Sequence, residues 1–108
     1  MKAVVYNTYG GPEVLKIQDV PIPRPKSNEV LIRVDSISLN PVDAKARRGG
    51  FRPMSDLLKF PRITGSDFAG VITETGNRVS GFKVGDTVYG WAQPLLNNGS
   101  AAEMVCIS

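Results

Sequence analysis

Apolar and polar positions alternate most cleanly across residues 29–39. Val30, Ile32 and Val34 fall on one side there, and Leu31, Arg33 and Asp35 fall mostly as the polar set on the other. A period of two marks a strand with one buried face, and this is the longest such run in the chain. Its phase switches near Ser36, which predicts a bulge or bend. Residues 2–7 and 14–19 are rich in β-formers and flank Tyr9-Gly10-Gly11-Pro12, the layout of a hairpin with a longer loop. Prolines at 21, 23 and 25 remove backbone donors, so residues 20–26 read as an extended link.

Asn40-Pro41-Val42-Asp43 has the chemistry of a helix start. Asn40 suits the N-cap, Pro41 the first helical position, and Asp43 places a carboxylate at the positive end. Gly49-Gly50 predicts the stop. Residues 51–61 read as irregular, with a short helical candidate over 55–59. Strands follow over 67–75, 87–91 and 101–107, punctuated by Gly76-Asn77, Gly81, Gly85 and Asn97-Asn98-Gly99. Short strands, frequent turns and one or two short helices predict a mainly β fold built as a partly open barrel.

Composition agrees. With 108 residues, eight prolines and eleven glycines, the chain is one domain of turn-linked short elements. No stretch reaches the ~18 apolar residues of a membrane span, and Met1-Lys2-Ala3-Val4-Val5-Tyr6 reads as a strand rather than a signal peptide. The single cysteine, Cys106, rules out an internal disulfide framework and points to a reducing cytoplasm. A net charge of +3 is too small and too dispersed for a nucleic-acid binder. The densest basic group, Lys45, Arg47, Arg48 and Arg52 beside Asp43, reads either as a solvated helix face or as a site for an anionic cofactor or substrate.

The motifs taken in order resemble the quinone oxidoreductase branch of the medium-chain dehydrogenase/reductase superfamily. They are Gly10-Gly11-Pro12-Glu13-Val14-Leu15, Glu29-Val30-Leu31-Ile32-Arg33-Val34 leading into Asn40-Pro41-Val42-Asp43, Gly65-Ser66-Asp67-Phe68-Ala69-Gly70, and Phe82-Lys83-Val84-Gly85-Asp86-Thr87-Val88-Tyr89-Gly90. The resemblance covers residues 1–108 and implies a GroES-like catalytic domain, expected as a fragment of a two-domain reductase. The nucleotide-binding Rossmann half would then be a partner from the same polypeptide. No Gly-x-Gly-x-x-Gly fingerprint occurs in these residues.

The resemblance also frames the metal question. A catalytic zinc in the related alcohol dehydrogenases needs two thiolates and an imidazole, with a fourth position left open. This sequence has no histidine, Asn40 stands where that branch puts cysteine, and Ser66-Asp67 stand where it puts histidine-glutamate. The expected branch is therefore zinc-free, and Cys106 reads as a small hydrophobe. The expected activity is NADPH-dependent hydride transfer to a quinone or enone, with NADH left open and a homodimer among the expected states. Two alternatives are a non-catalytic relative and a stand-alone β-barrel interaction module.

Individual residues follow from the same resemblance. Lys45 is placed as in enone reductases, where an ammonium stabilises the enolate; otherwise it is a surface lysine pairing with Asp43. Asn40 reads as a cofactor or substrate contact as well as an N-cap. Pro41 and Asp43 stand beside it on the cofactor side, Asp43 with a helix-end role as its other reading. Ser66 and Asp67 are expected to line the cleft, Asp67 with an arginine as its other partner. Tyr89, Trp91 and Phe51 are expected as pocket walls, with core packing as the alternative for Tyr89 and Trp91. Met54 is expected as a further substrate contact.

Overall fold

The computed structural model describes residues 1–52, 59–92 and 99–108. Strand β1 (Lys2–Tyr6) pairs antiparallel with β2 (Leu15–Asp19) from Lys2 against Asp19 to Tyr6 against Leu15. This is the expected hairpin, its loop closed by a 3-10 turn at Pro12–Val14. Residues 20–26 are extended without regular pairing. Strand β3 (Val30–Ser36) is followed by helix α1 (Pro41–Arg47), the two-residue β4 (Arg62–Ile63), β5 (Asp67–Thr75), β6 (Thr87–Trp91) and β7 (Met104–Ile107).

Two sheets result, one of order β2-β1-β4 and one of order β6-β5-β3-β7. They meet where Ala3 bridges Ala102, and no closed barrel forms among the described residues. The apolar run of β3 buries Ile32 against Phe68, Ile72, Ala92 and Val105, with Val30, Val34, Val88 and Ile107 packed around them. Leu31, on the opposite face of β3, is buried as well, which accounts for the one apolar residue that broke the polar side of the alternation.

Three expectations need correction. Strand β3 ends at Ser36 rather than Leu39. Val34 faces Gly70 and Ser36 faces Ala69, so Asp35 is an extra residue on β3. That bulge bends the strand away from β5, and residues 37–39 leave the ladder. The last strand begins at Met104 rather than Ala101, because residues 101–103 belong to the other sheet. Val4 N–H donates to Ala101 O at 2.8 Å, and Glu103 N–H donates to Lys2 O at 3.2 Å. Strand β4 was not anticipated, since two residues are too short to show a period. The helical candidate at 55–59 falls almost wholly outside the described residues, as do Met54, Asn97 and Asn98.

Candidate active site around Asn40 and Lys45

The bulge at Asp35 decides where the site lies. Having left the sheet, the chain turns Ser38 and Asn40 toward the first residue of β5. Asp67 Oδ2 accepts from Ser38 Oγ at 2.9 Å and from Asn40 Nδ2 at 2.9 Å, and Asn40 Nδ2 also donates to Ser38 Oγ at 3.2 Å. Asp67 thus takes these two donors rather than an arginine. Gly65, at φ +93, turns the chain into β5 just ahead of this carboxylate; an L-residue is strained in that region.

Helix α1 starts as expected. Asn40 is the N-cap and Pro41 the first helical residue, in the layout of a reciprocal capping box. The Asp43 half of the box is a 3.1 Å bond from Asn40 N–H to Asp43 Oδ2. Asp43 is buried, and its Oδ1 has no hydrogen-bond partner; nor does the buried Ser66 Oγ close by in sequence to Asp67. Buried oxygens of this kind ordinarily find water or a ligand group.

The helix ends in a Schellman motif. Gly49 N–H donates to Ala46 O at 3.1 Å and Gly50 N–H to Lys45 O at 2.8 Å, with Gly49 at φ +84. This stop turns Phe51 back beneath Lys45, whose Nζ lies 4.9 Å from the ring centroid. Lys45 does not pair with Asp43, because residues two apart on a helix do not face each other. Asp43 is buried while Lys45 is exposed.

Arg47 and Arg52 of the basic group are engaged locally, while Arg48 is exposed. Arg47 Nε donates to Gly10 O at 3.2 Å, and Arg52 stacks 5.0 Å from the Tyr9 ring. Arg62, buried, lies over Phe60 at 4.3 Å and donates to Tyr9 Oη at 2.9 Å. Burial against this cluster raises the Tyr6 phenol above its ordinary range, with the Arg62 guanidinium opposing.

Of the expected pocket residues, Trp91 stands directly across the ladder from Asp67, and Tyr89 across from Ala69. Both are exposed, Tyr89 by 89%. They also edge a groove of about 450 Å³ lined by Ile32, Phe68, Phe82 and Val88. The structure therefore joins Asn40, Asp43 and Asp67 by hydrogen bonds, Lys45 to Phe51 by ring contact, and Trp91 to Asp67 by register. Ser38 was missed. A serine near a strand end carries no signal of its own; the only hint was its place two residues before Asn40.

Cys106 lies in β7 opposite Leu31. Burial pushes its thiol up to about 11, and the Glu29 and Glu74 carboxylates add to the shift. Among the described residues no group of three His, Cys, Asp or Glu side chains could hold a metal ion.

Two open sheets and a short helix capped beside a strand-borne aspartate define a GroES-like layer of the alcohol dehydrogenase type. The chain belongs to that family: residues 26–107 match the alcohol dehydrogenase GroES-like domain. It is 44% identical over 102 residues to the chloroplast envelope quinone oxidoreductase homolog of Arabidopsis thaliana, covering 94% of this chain and 31% of that protein. It is 46% identical over 90 residues to the NADPH-dependent alkenal/one oxidoreductase of the same plant, covering 82% of this chain and 23% of the relative. The quinone oxidoreductase structure from Coxiella burnetii superposes with a TM-score of 0.92 at 39% identity, over 100% of this chain and 34% of that one. The chain thus spans about a third or less of the length of these relatives, which are named as quinone and alkenal/one oxidoreductases.

Proposed function

We propose that these residues form the substrate-binding and catalytic part of a zinc-independent oxidoreductase that passes hydride from NADPH to a quinone or an α,β-unsaturated carbonyl. One observation carries the reading. Helix α1 offers a carboxamide at its start and an exposed ammonium near its end, about 7–8 Å apart along the axis at 1.5 Å per residue. Those are the two polar functions that such a reaction asks of this domain.

The residues fit the nicotinamide end of the cofactor. Asn40 supplies hydrogen bonding at the helix start, where Pro41 and the buried Asp43 hold the backbone in place. Bound there, the reduced nicotinamide supplies the hydride. The Lys45 ammonium would be the group to stabilise the oxygen on which negative charge builds when the β-carbon is reduced. Phe51 holds the lysine ammonium over its ring and gives the pocket an apolar wall. Asp67, Tyr89 and Trp91 line the approach, whereas Ser66, expected beside them, is buried beneath the surface.

Asn40, Ser66 and Asp67 offer an amide, a hydroxyl and a carboxylate that is already bonded twice, which is not the thiolate and imidazole set that zinc prefers. Without a Lewis acid, simple ketones lose their usual polarisation, whereas quinones and enones accept hydride without it. The names of the two plant relatives support both acceptor classes, and the alkenal reductase supports NADPH. The single cysteine favours a reducing cytoplasm, which cell fractionation would test.

The experiment is NADPH oxidation by the full-length polypeptide carrying these residues, offered a quinone and a small enone with and without a chelator. Expected is chelator-resistant turnover that falls about 100-fold for the enone in Lys45→Met, the loss typical of one oxyanion donor. Turnover abolished by the chelator and restored by zinc would overturn the zinc-free reading. A Lys45→Met enzyme as fast as the parent would overturn the role given to the lysine.

A further inference from the structure

The Ser38–Asn40–Asp67 ring allows the orientation of the Asn40 carboxamide to be derived from chemistry. An ionised carboxylate only accepts hydrogen bonds. The edge of Asn40 that meets Asp67 Oδ2 at 2.9 Å is therefore its NH₂ edge. Ser38 has one proton and gives it to the same Asp67 oxygen at 2.9 Å. Toward Asn40 it can only accept, which it does at 3.2 Å. The three contacts thus turn the NH₂ edge of the carboxamide toward the Ser38–Asp67 pair. The opposite edge of Asn40 is its carbonyl oxygen, whose two lone pairs allow it to serve the helix start and a ligand together.

We infer that Ser38 and Asp67 are positioning residues that hold the NH₂ edge of Asn40 toward themselves and its carbonyl edge away, so that the group taken on that free edge is an N–H or O–H rather than a carbonyl oxygen. The inference rests on the proposed function for the identity of that ligand, though the locked amide itself does not depend on it. In a nicotinamide cofactor the matching donors are the ring carboxamide NH₂ and the ribose hydroxyls. The substrate carbonyl offers no donor, so Asn40 serves the cofactor and the substrate oxygen is left to Lys45. Ser38 is solvent-exposed, and water would satisfy its hydroxyl equally well in a structural sense. Its bonds therefore add little to stability; what they supply is orientation.

The test uses the full-length polypeptide with Ser38→Ala, Ser38→Thr, Asn40→Ala and the Ser38→Ala/Asn40→Ala pair. NADPH affinity is read by fluorescence, kcat/KM with an enone, and Tm as a control. Ser38→Ala is expected to weaken NADPH binding and lower kcat/KM by about 10-fold, the scale of a misdirected hydrogen bond, with Tm unchanged and recovery in Ser38→Thr. In the Asn40→Ala background the same change is expected to alter either quantity by less than about 2-fold, because a residue acting through another is non-additive with it. Equal losses in both backgrounds, or losses that follow a fall in Tm, would overturn the inference. Selective labelling of asparagine reports the lock without catalysis: the Asn40 NH₂ protons are expected to exchange slowly with water and to lose that protection in Ser38→Ala. If the wild type oxidises neither NADPH nor NADH, the proposed function fails, and this exchange alone decides the lock: protection lost in Ser38→Ala upholds it, and unchanged protection removes it.

Discussion

Gly49→Ala isolates the turn that brings Phe51 beneath Lys45. Gly49 sits at φ +84, and its N–H and that of Gly50 close the last turn of α1 on Ala46 O and Lys45 O. Alanine keeps both donors but places a Cβ on a left-handed residue, at about 1–2 kcal/mol. The new Cβ would also stand 3.2 Å from Tyr9 Cγ and 3.2 Å from Arg52 Cδ. The arginine end can swing aside, but the Tyr9 ring is tied through its hydroxyl to buried Arg62, so a few tenths of a kcal/mol are added. The sum is roughly 2 kcal/mol of stability. Gly49→Asn carries the same Cβ into the same neighbours but tolerates the left-handed region, so it should lose roughly half as much. Equilibrium urea unfolding with matched slopes measures both. Equal losses for alanine and asparagine would assign the effect to crowding by Tyr9 and Arg52. A neutral Gly49→Ala would mean that the left-handed stop carries no strain, and the account of how Phe51 reaches Lys45 would fail with it.

Cys106 should react slowly with iodoacetamide at neutral pH and speed up steeply as pH climbs toward about 11, where burial has moved its thiol. A rate already level by about pH 9, the region of an ordinary cysteine, would refute this. The sign for stability follows: the folded state holds this proton more tightly than the unfolded state, whose thiol titrates near 9.0. The contribution is intact below that value and is lost as pH rises from there toward about 11. Gly70→Ala would drive a Cβ into the Arg33 carbonyl on the neighbouring strand. The β3–β5 ladder should give way there with a loss of about 3 kcal/mol or more in urea unfolding, and a variant of parental stability would show that the strands can part without penalty.

What was legible in the sequence was what neighbouring residues decide among themselves. The start of α1 depends on Asn40, Pro41 and Asp43, and its end on Gly49 and Gly50; each signal lies within one turn of the feature it controls. The bounds of β5 and β6 agree for the same reason, since turn residues delimit both strands. The misread boundaries are places where a distant partner overrides the local pattern. Residues 101–103 carry the apolar character of a strand but are held by β1, two sheets' topology away from the ladder that Met104 then joins. In the site, Asn40, Ser66 and Asp67 stood out by resemblance, but nothing local announced that Ser38 would meet a carboxylate 29 residues on, or that Phe51 would lie beneath Lys45.

The end of β3 shows why such a failure is informative. Alternation through Ile37 and Leu39 favours continuing the strand, yet the bulge at Asp35 releases it and leaves Leu39 86% exposed. Burying a leucine side chain is worth about 1.5–3 kcal/mol, a stabilisation that contacts among these residues do not supply at this point. What the departure gains is the contact of Ser38 and Asn40 with Asp67, together with a cap for α1. Two such bonds at about 1 kcal/mol each, with about 1 kcal/mol for the cap, offset a loss of that order. The apolar pattern of residues 37–40 is thus overruled by polar contacts with Asp67, 29 residues beyond Ser38 and 27 beyond Asn40, which no local rule foresees.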